Sequence, residues 1–314
     1  MTDMESRLFH LEQSEFVLDA PAVHPEFDFR PWTIQLFRSI TNESCIMNED
    51  KYWCLHKKGG EIIENSIQQC MIREIRKAKN FIYLENQYFL GSAYDWIDDS
   101  ITPSHHLIPN ELALKIVEKI KSNEAFKVYI VIPMFPEGDP ASDANQEILF
   151  WQYRTMESMY KKVASAIKKH GAKTHPTDYL SFLCLAKRES QDETDWTGLV
   201  EPESGTIAEK LRKSLRQPVY VHSKMSIFDD EFILVGSANI NQRSLGGNRD
   251  TEIAVGGYQP GHTVDEGGDP RGAVHTFRMA LWSAHFGGYN EAYLNPESND
   301  CLAKVQFIRT RIQN

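Results

Sequence analysis

The sequence predicts an α/β (α+β) fold in which a mixed β-sheet carries helices on both faces. Two observations predict it. Short runs rich in β-branched and aromatic residues alternate with long segments whose apolar residues repeat at helical spacing, the pattern of a layered fold. Loops rich in glycine, proline or acidic residues separate them. The chain of 314 residues, 41% hydrophobic and 25% charged, is long enough to bury a sizeable core and ordinary for a globular protein.

Taken in order, residues 1–27 are acidic and poorly patterned, and are expected to form an unstructured leader to a lobe spanning 28–314. Trp32 to Phe37 alternates like a strand, and 41–60 reads as a loop broken at Gly59-Gly60. Between Glu61 and Lys79, Ile63, Ile67, Met71, Ile75 and Ala78 form one helical stripe. Phe81 to Leu84 reads as a buried strand. Pro109 suits the first turn of a helix carrying Leu112, Ile116 and Ile120. Val128 to Pro133 is a β-branched strand. Asp143 to His170 is a long helix with Gly171 placed to close it. Residues 189–209 hold seven acids and no base and are expected to be an exposed loop, followed by the basic cluster 210–216. Val219–Phe228 and Glu231–Val235 read as a hairpin joined at Asp229-Asp230. Helical text returns near 272–285 and 298–312.

Composition excludes several functions. With 34 basic and 44 acidic side chains the net charge is −10, so no nucleic acid partner is expected, because non-specific binding runs on unpaired Lys and Arg. No window approaches the roughly 18–20 apolar residues of a membrane span, so any membrane contact is expected to be peripheral. The first thirty residues carry no apolar run and hence no expected signal peptide. The five cysteines, Cys45, Cys54, Cys70, Cys184 and Cys301, form no CxxC pair, which fits reduced thiols and a cytoplasmic setting.

The chemistry gathers in one stretch. His222-Ser223-Lys224 is followed by Asp229, five residues after the lysine, and by Gly236-Ser237-Ala238-Asn239. If 219–228 is one strand, His222 and Lys224 leave the same face of it. Ser237 and Asn239, also two apart, follow the partner strand. An imidazole, an ammonium, a hydroxyl and an amide on one surface suit a phosphate diester. Imidazole nitrogen attacks phosphorus, and the other groups hold the non-bridging oxygens. This needs no metal, and neither HExxH nor clustered Cys/His ligands occur.

These residues resemble the HxKxxxxD motif of the phospholipase D superfamily, with GSAN as its GSxxN-type sequel. The stretches IQLFRSI (34–40), KNFIYLENQYFLGSAYDW (79–96), HLIPNELALKIVEKI (106–120), VYIVIPMFPEG (128–138), 220–260 and FRMALW (277–282) are similar to the C-terminal catalytic half of plant-type phospholipase D. The resemblance implies a bilobal enzyme with one such motif per lobe and the active site between lobes. There, glycerophospholipids such as phosphatidylcholine are hydrolysed to phosphatidic acid at a membrane surface through a phosphohistidine. It gives His222 the general-acid role and places Glu252 where the family orients its histidine. Asp229 belongs to the motif, more as a packing residue than as a substrate contact, and Glu85, Asn86 and Gln87 lie beside the site.

One feature departs from the family. Among all histidines only His56-Lys57-Lys58 repeats the His-x-Lys spacing, and the position five after Lys58 is Ile63. The chain therefore carries one motif where the mechanism uses two imidazoles. The resemblance puts the other lobe before residue 28, and it puts a calcium-binding C2 domain earlier still. Calcium dependence is in doubt here, since the C2 domain is expected to be absent. Three expectations follow: a homodimer pairing two His222 residues, complementation by an N-terminal lobe from another polypeptide, or a catalytically silent truncated half that binds lipid or a partner. Tyr83, Tyr88, Phe89, Tyr94 and Trp96 suit either a lipid entrance or packing.

Overall fold

The computed structural model describes residues 31–41, 44, 63–96, 103–188 and 200–311. The leader, the His56–Lys58 segment and the greater part of the acidic loop lie outside the described residues. Eight of the described strands form one mixed sheet in the order β2-β1-β10-β9-β8-β3-β4-β5. In chain order these are β1 (Thr33–Thr41), β2 (Ile63–Asn65), β3 (Phe81–Asn86), β4 (Lys127–Val131), β5 (Leu180–Leu183), β8 (Lys224–Phe228), β9 (Phe232–Gly236) and β10 (Glu252–Tyr258). β3, β4 and β5 run parallel, and the other pairings are antiparallel. A separate ribbon pairs β6 (Ala186–Arg188) with β7 (Arg216–Pro218).

Alternation along β3 builds two cores. Ile82 and Leu84 face α1 (Ser66–Lys77), α2 (Ile108–Ser122) and α3 (Asp143–His170). Phe81 and Tyr83 face α6 (Ala273–Phe286) and α7 (Asn299–Arg311). Burying each such side chain fully contributes about 1.5–3 kcal/mol, which fixes the strand's register against both layers. Cys70 and Cys301 are free thiols within these cores, and burial pushes Cys70 up to about 12.

Several expected elements appear at nearly their expected places. α3 runs from Asp143 to His170 and stops at Gly171, whose φ of 68° is the left-handed value that glycine tolerates. Pro109 sits in the first turn of α2. The hairpin turns through the three residues Asp229 to Glu231: the two aspartates have φ of 53° and 58°, the left-handed pair of a type I′ turn, and the Glu231 N–H donates to the Phe228 carbonyl at 2.9 Å.

Three boundaries differ. The helix expected from Glu61 starts at Ser66, because Ile63–Asn65 pairs with Ser39–Thr41 as edge strand β2. The loop expected to reach 209 gives way to α4 (Ile207–Ser214). Thr206 Oγ1 accepts the Glu209 N–H at 3.2 Å and Glu209 accepts the Gly205 N–H at 2.8 Å, a cap closely akin to the capping box. The strand expected from Val219 begins at Lys224, since its partner β3 ends opposite it at Asn86. His222 therefore precedes the strand, and the shared-face argument from strand spacing does not apply to it.

The two faces of the sheet are not equally covered. In β1, β10 and β9 the in-register residues Leu36, Val255 and Val235 form an exposed apolar row, continued by Ile34 and Ile253.

Candidate active site

His222, Lys224, Ser237 and Glu252 gather at one end of the central strands. β8 enters the sheet there, while β9 leaves it and β10 begins. His222 and Ser223 are exposed, Lys224 half-buried. Lys224 Nζ donates to Gln87 Oε1 and to the His222 carbonyl, both at 2.7 Å. Burial lowers the Lys224 pKa, and the Glu252 carboxylate raises it in part. Gln87 Nε2 donates to Tyr220 Oη at 2.9 Å, and the Tyr220 and His222 rings lie 6.4 Å apart between centroids.

Across the end of the sheet, Glu252 faces Ser237, whose Oγ donates to the carboxylate at 2.5 Å. Ser237 also accepts the Ile253 N–H at 3.1 Å. Only glycine fits before it: a Cβ on Gly236 would lie 2.4 Å from the Ile253 carbonyl. Ser237 is exposed, and its hydroxyl is held between the Glu252 carboxylate and the Ile253 backbone. Among the described residues Glu252 has no hydrogen bond to His222; its Oε2 accepts from Ser237.

Asn86 holds the following turn. Its Oδ1 accepts the Ile240 N–H at 3.0 Å and its Nδ2 donates to the Ala238 carbonyl at 3.4 Å. Asn239, between them, keeps its Oδ1 buried without a hydrogen-bond partner. Glu85 lies on the opposite, α6 side of β3. It is buried and accepts from Tyr83 Oη at 2.5 Å, Ser223 Oγ at 2.6 Å and His285 Nε2 at 2.8 Å. Burial pushes its pKa up, and the hydrogen bonds from His285, Ser223 and Tyr83 outweigh that and leave it below the usual carboxylate value.

Asp229 is not brought to this cluster. It sits five residues along β8 from Lys224, about 16 Å away at ~3.3 Å per residue. There its carboxylate accepts the N–H groups of Lys79, Asn80 and Phe81 at 2.6, 2.8 and 2.8 Å. The motif aspartate holds the turn after α1 and stands apart from the cluster at the other end of β8.

Of the aromatic stretch, Tyr83, Phe89 and Trp96 are core residues, and Tyr94 is exposed. Tyr220, Ser223 and His285 were missed by reading the sequence. The first two carried a signal, since they flank or interrupt the His-x-Lys pair. His285 carried none, because it meets Glu85 across 200 residues of chain.

The chain belongs to the phospholipase D family: the family's sequence model, described as Phospholipase D, matches residues 2–313. It is 47% identical over 309 residues to phospholipase D alpha 1 of Ricinus communis, covering 95% of this chain and 38% of that protein. It is 46% identical over 306 residues to phospholipase D alpha 2 of Brassica oleracea, again covering 95% of this chain and 38% of the relative. The chain thus spans well under half the length of these curated relatives. Among solved structures, the phospholipase D family member Nuc from Salmonella typhimurium aligns at 13% identity, over 83% of this chain and 97% of its own, with a TM-score of 0.35. That score adds nothing to the family assignment. Among the described residues no helix is long and apolar enough to cross a membrane.

Proposed function

We propose that this chain is the C-terminal catalytic lobe of a phospholipase D-type phosphodiesterase acting on phosphatidylcholine-like glycerophospholipids. The observation that carries this reading is the cluster at the end of the sheet. An exposed imidazole, a partly desolvated ammonium that feels the Glu252 carboxylate, and the hydroxyl bonded to that same carboxylate stand at one end of the sheet.

In the first step an imidazole nitrogen attacks phosphorus and the bond to the headgroup oxygen breaks. A second, protonated imidazole gives its proton to the leaving alcohol. In the second step water attacks the phosphohistidine and gives its proton to that second imidazole. Phosphatidic acid leaves, and the first imidazole is restored. Lys224 stabilises the charge on the non-bridging oxygens. His222 supplies one imidazole, in the general-acid role. The other comes from a complementing lobe or a second copy of this chain. The exposed row of Leu36, Val255 and Val235 supports such an association, since contiguous apolar surface on a sheet face marks an interface. The reaction runs on imidazole and ammonium and calls on no metal ion. The reading places the protein at the membrane surface, on the cytoplasmic side.

The test is to supply phosphatidylcholine vesicles with a primary alcohol and look for the transphosphatidylation product, using the chain alone and the chain mixed with the N-terminal portion of a phospholipase D alpha relative. Product that vanishes in His222→Ala is expected. Product that persists in His222→Ala, or vesicle binding with no product in either mixture, would overturn the reading.

A further inference from the structure

Ser223 stands between the two residues that carry the chemistry, yet it is engaged elsewhere. Its hydroxyl donates to Glu85 at 2.6 Å. Glu85 belongs to the side of β3 that carries Phe81 and Tyr83 and packs under α6 and α7. Lys224 pairs with Asn86, so it follows the other parity of the sheet. The serine therefore ties the backbone between His222 and Lys224 from behind, on the face away from Lys224.

The tie ends in a helix. Glu85 is fixed in turn by Tyr83 and by His285, the last residue but one of α6. His285 lies in the wall of a cavity of about 250 Å³ formed with Tyr83, Trp282 and Phe286, so the carboxylate it meets is backed by aromatic side chains. The other end of the same helix grips the far end of β8: Arg278 donates to both Asp230 oxygens at 2.7 Å and His275 Nδ1 lies 2.7 Å from one of them. α6 thus braces β8 at its turn through Asp230 and at its entry through Glu85.

We infer that Glu85 and His285 are positioning residues for the site: through Ser223 they set the direction in which His222 and Lys224 are presented. This deepens the reading of His222 as a catalytic imidazole and rests on it. The serine acts as a strut: without its bond, 219–223, which pair with no strand of the sheet, lose a fixed point between the two reactive side chains. Glu85 keeps its charge because three donors converge on it, so the strut is a charge-assisted bond.

The experiment uses the full chain and inorganic phosphate as the probe. Imidazole signals of His222 and His285 are followed by NMR in the wild type, Ser223→Ala, Ser223→Thr and His285→Gln, with far-UV circular dichroism confirming the fold. Ser223→Ala is expected to move the His222 signal and also the distant His285 signal, and to weaken phosphate binding about tenfold. Ser223→Thr, which keeps the hydroxyl, restores both. His285→Gln moves His222 in the same direction as Ser223→Ala. His222 and His285 signals indifferent to Ser223→Ala, or a Ser223→Thr variant that behaves as Ser223→Ala does, would overturn the inference. Absence of phosphate binding in the wild type, with the His222 shift still present, would instead count against the functional reading and leave the strut standing.

Discussion

The two ends of strand β8 are built from the same motif and do opposite things. At the turn end, Asp229 accepts three backbone N–H groups, and Asp230 is enclosed by Arg278 and His275. Every strong polar atom there has a fixed partner. At the entry end, His222 and Ser237 are exposed and Lys224 is held only by amide and carbonyl oxygens. The contrast separates two reasons for a residue to recur in a spacing. The aspartate fixes the turn at one end of the strand, whereas the histidine and lysine are, on the proposed reading, the reactive pair at the other. Stability is concentrated at the saturated end and exchangeable bonds at the other.

The sharpest way to break this comparison is Asp230→Ala. It leaves Arg278, fully buried among Phe81 and Trp282, without its carboxylate. Uncompensated buried charge costs about 3–5 kcal/mol, and urea denaturation is expected to show a loss of that size. Asp229→Ala removes one acceptor from three donors and is expected to cost about 1–3 kcal/mol by the same measurement. Lys224→Met, at the open end, is expected to cost at most about 1 kcal/mol.

The same contrast applies to two histidines. His106 is wholly buried, with Nε2 on the Leu90 carbonyl and Nδ1 unpartnered, and burial holds its pKa down to about 4. The unfolded chain binds a proton at the ordinary value of 6.5. The folded state is therefore destabilised as pH falls from 6.5 toward 4, by roughly 3 kcal/mol in all. Stability measured at pH 7 and pH 4 is expected to show this loss, and His106→Asn is expected to remove that part of it. The smallest effect is expected on the bare sheet face. Leu36→Gln changes monomer stability by no more than about 0.5 kcal/mol, while light scattering shows weaker self-association than the wild type.

The sequence carried the hairpin openly. Met225 to Phe228, apolar but for Ser226, and Phe232 to Val235 flank Asp229-Asp230-Glu231, whose two aspartates tolerate left-handed backbone. It carried α3 in full, because an N-terminal acid and a C-terminal glycine bracket one periodic segment. The start of β8 was not legible, since a strand is as long as its partner allows and β3 stops at Asn86. Local text was also overlooked: Thr206 and Glu209 form a cap that ends the acidic loop three residues early. Within the site, His222, Lys224 and Ser237 lie close in sequence and were read from their spacing. Glu85 and Gln87 came only with the family resemblance. His285 required the tertiary fold, because nothing in the text near 285 points to a carboxylate 200 residues away.

The division of labour along β8 is tested most directly by titrating inorganic phosphate into the wild type, Lys224→Met and Asp229→Asn by calorimetry, under conditions where all three are folded. The account predicts that Lys224→Met loses phosphate affinity by at least about tenfold, the worth of one charge-assisted contact, while Asp229→Asn stays within about twofold of the wild type. An Asp229→Asn variant that loses affinity as fully as Lys224→Met, in a protein shown to be folded, would contradict it.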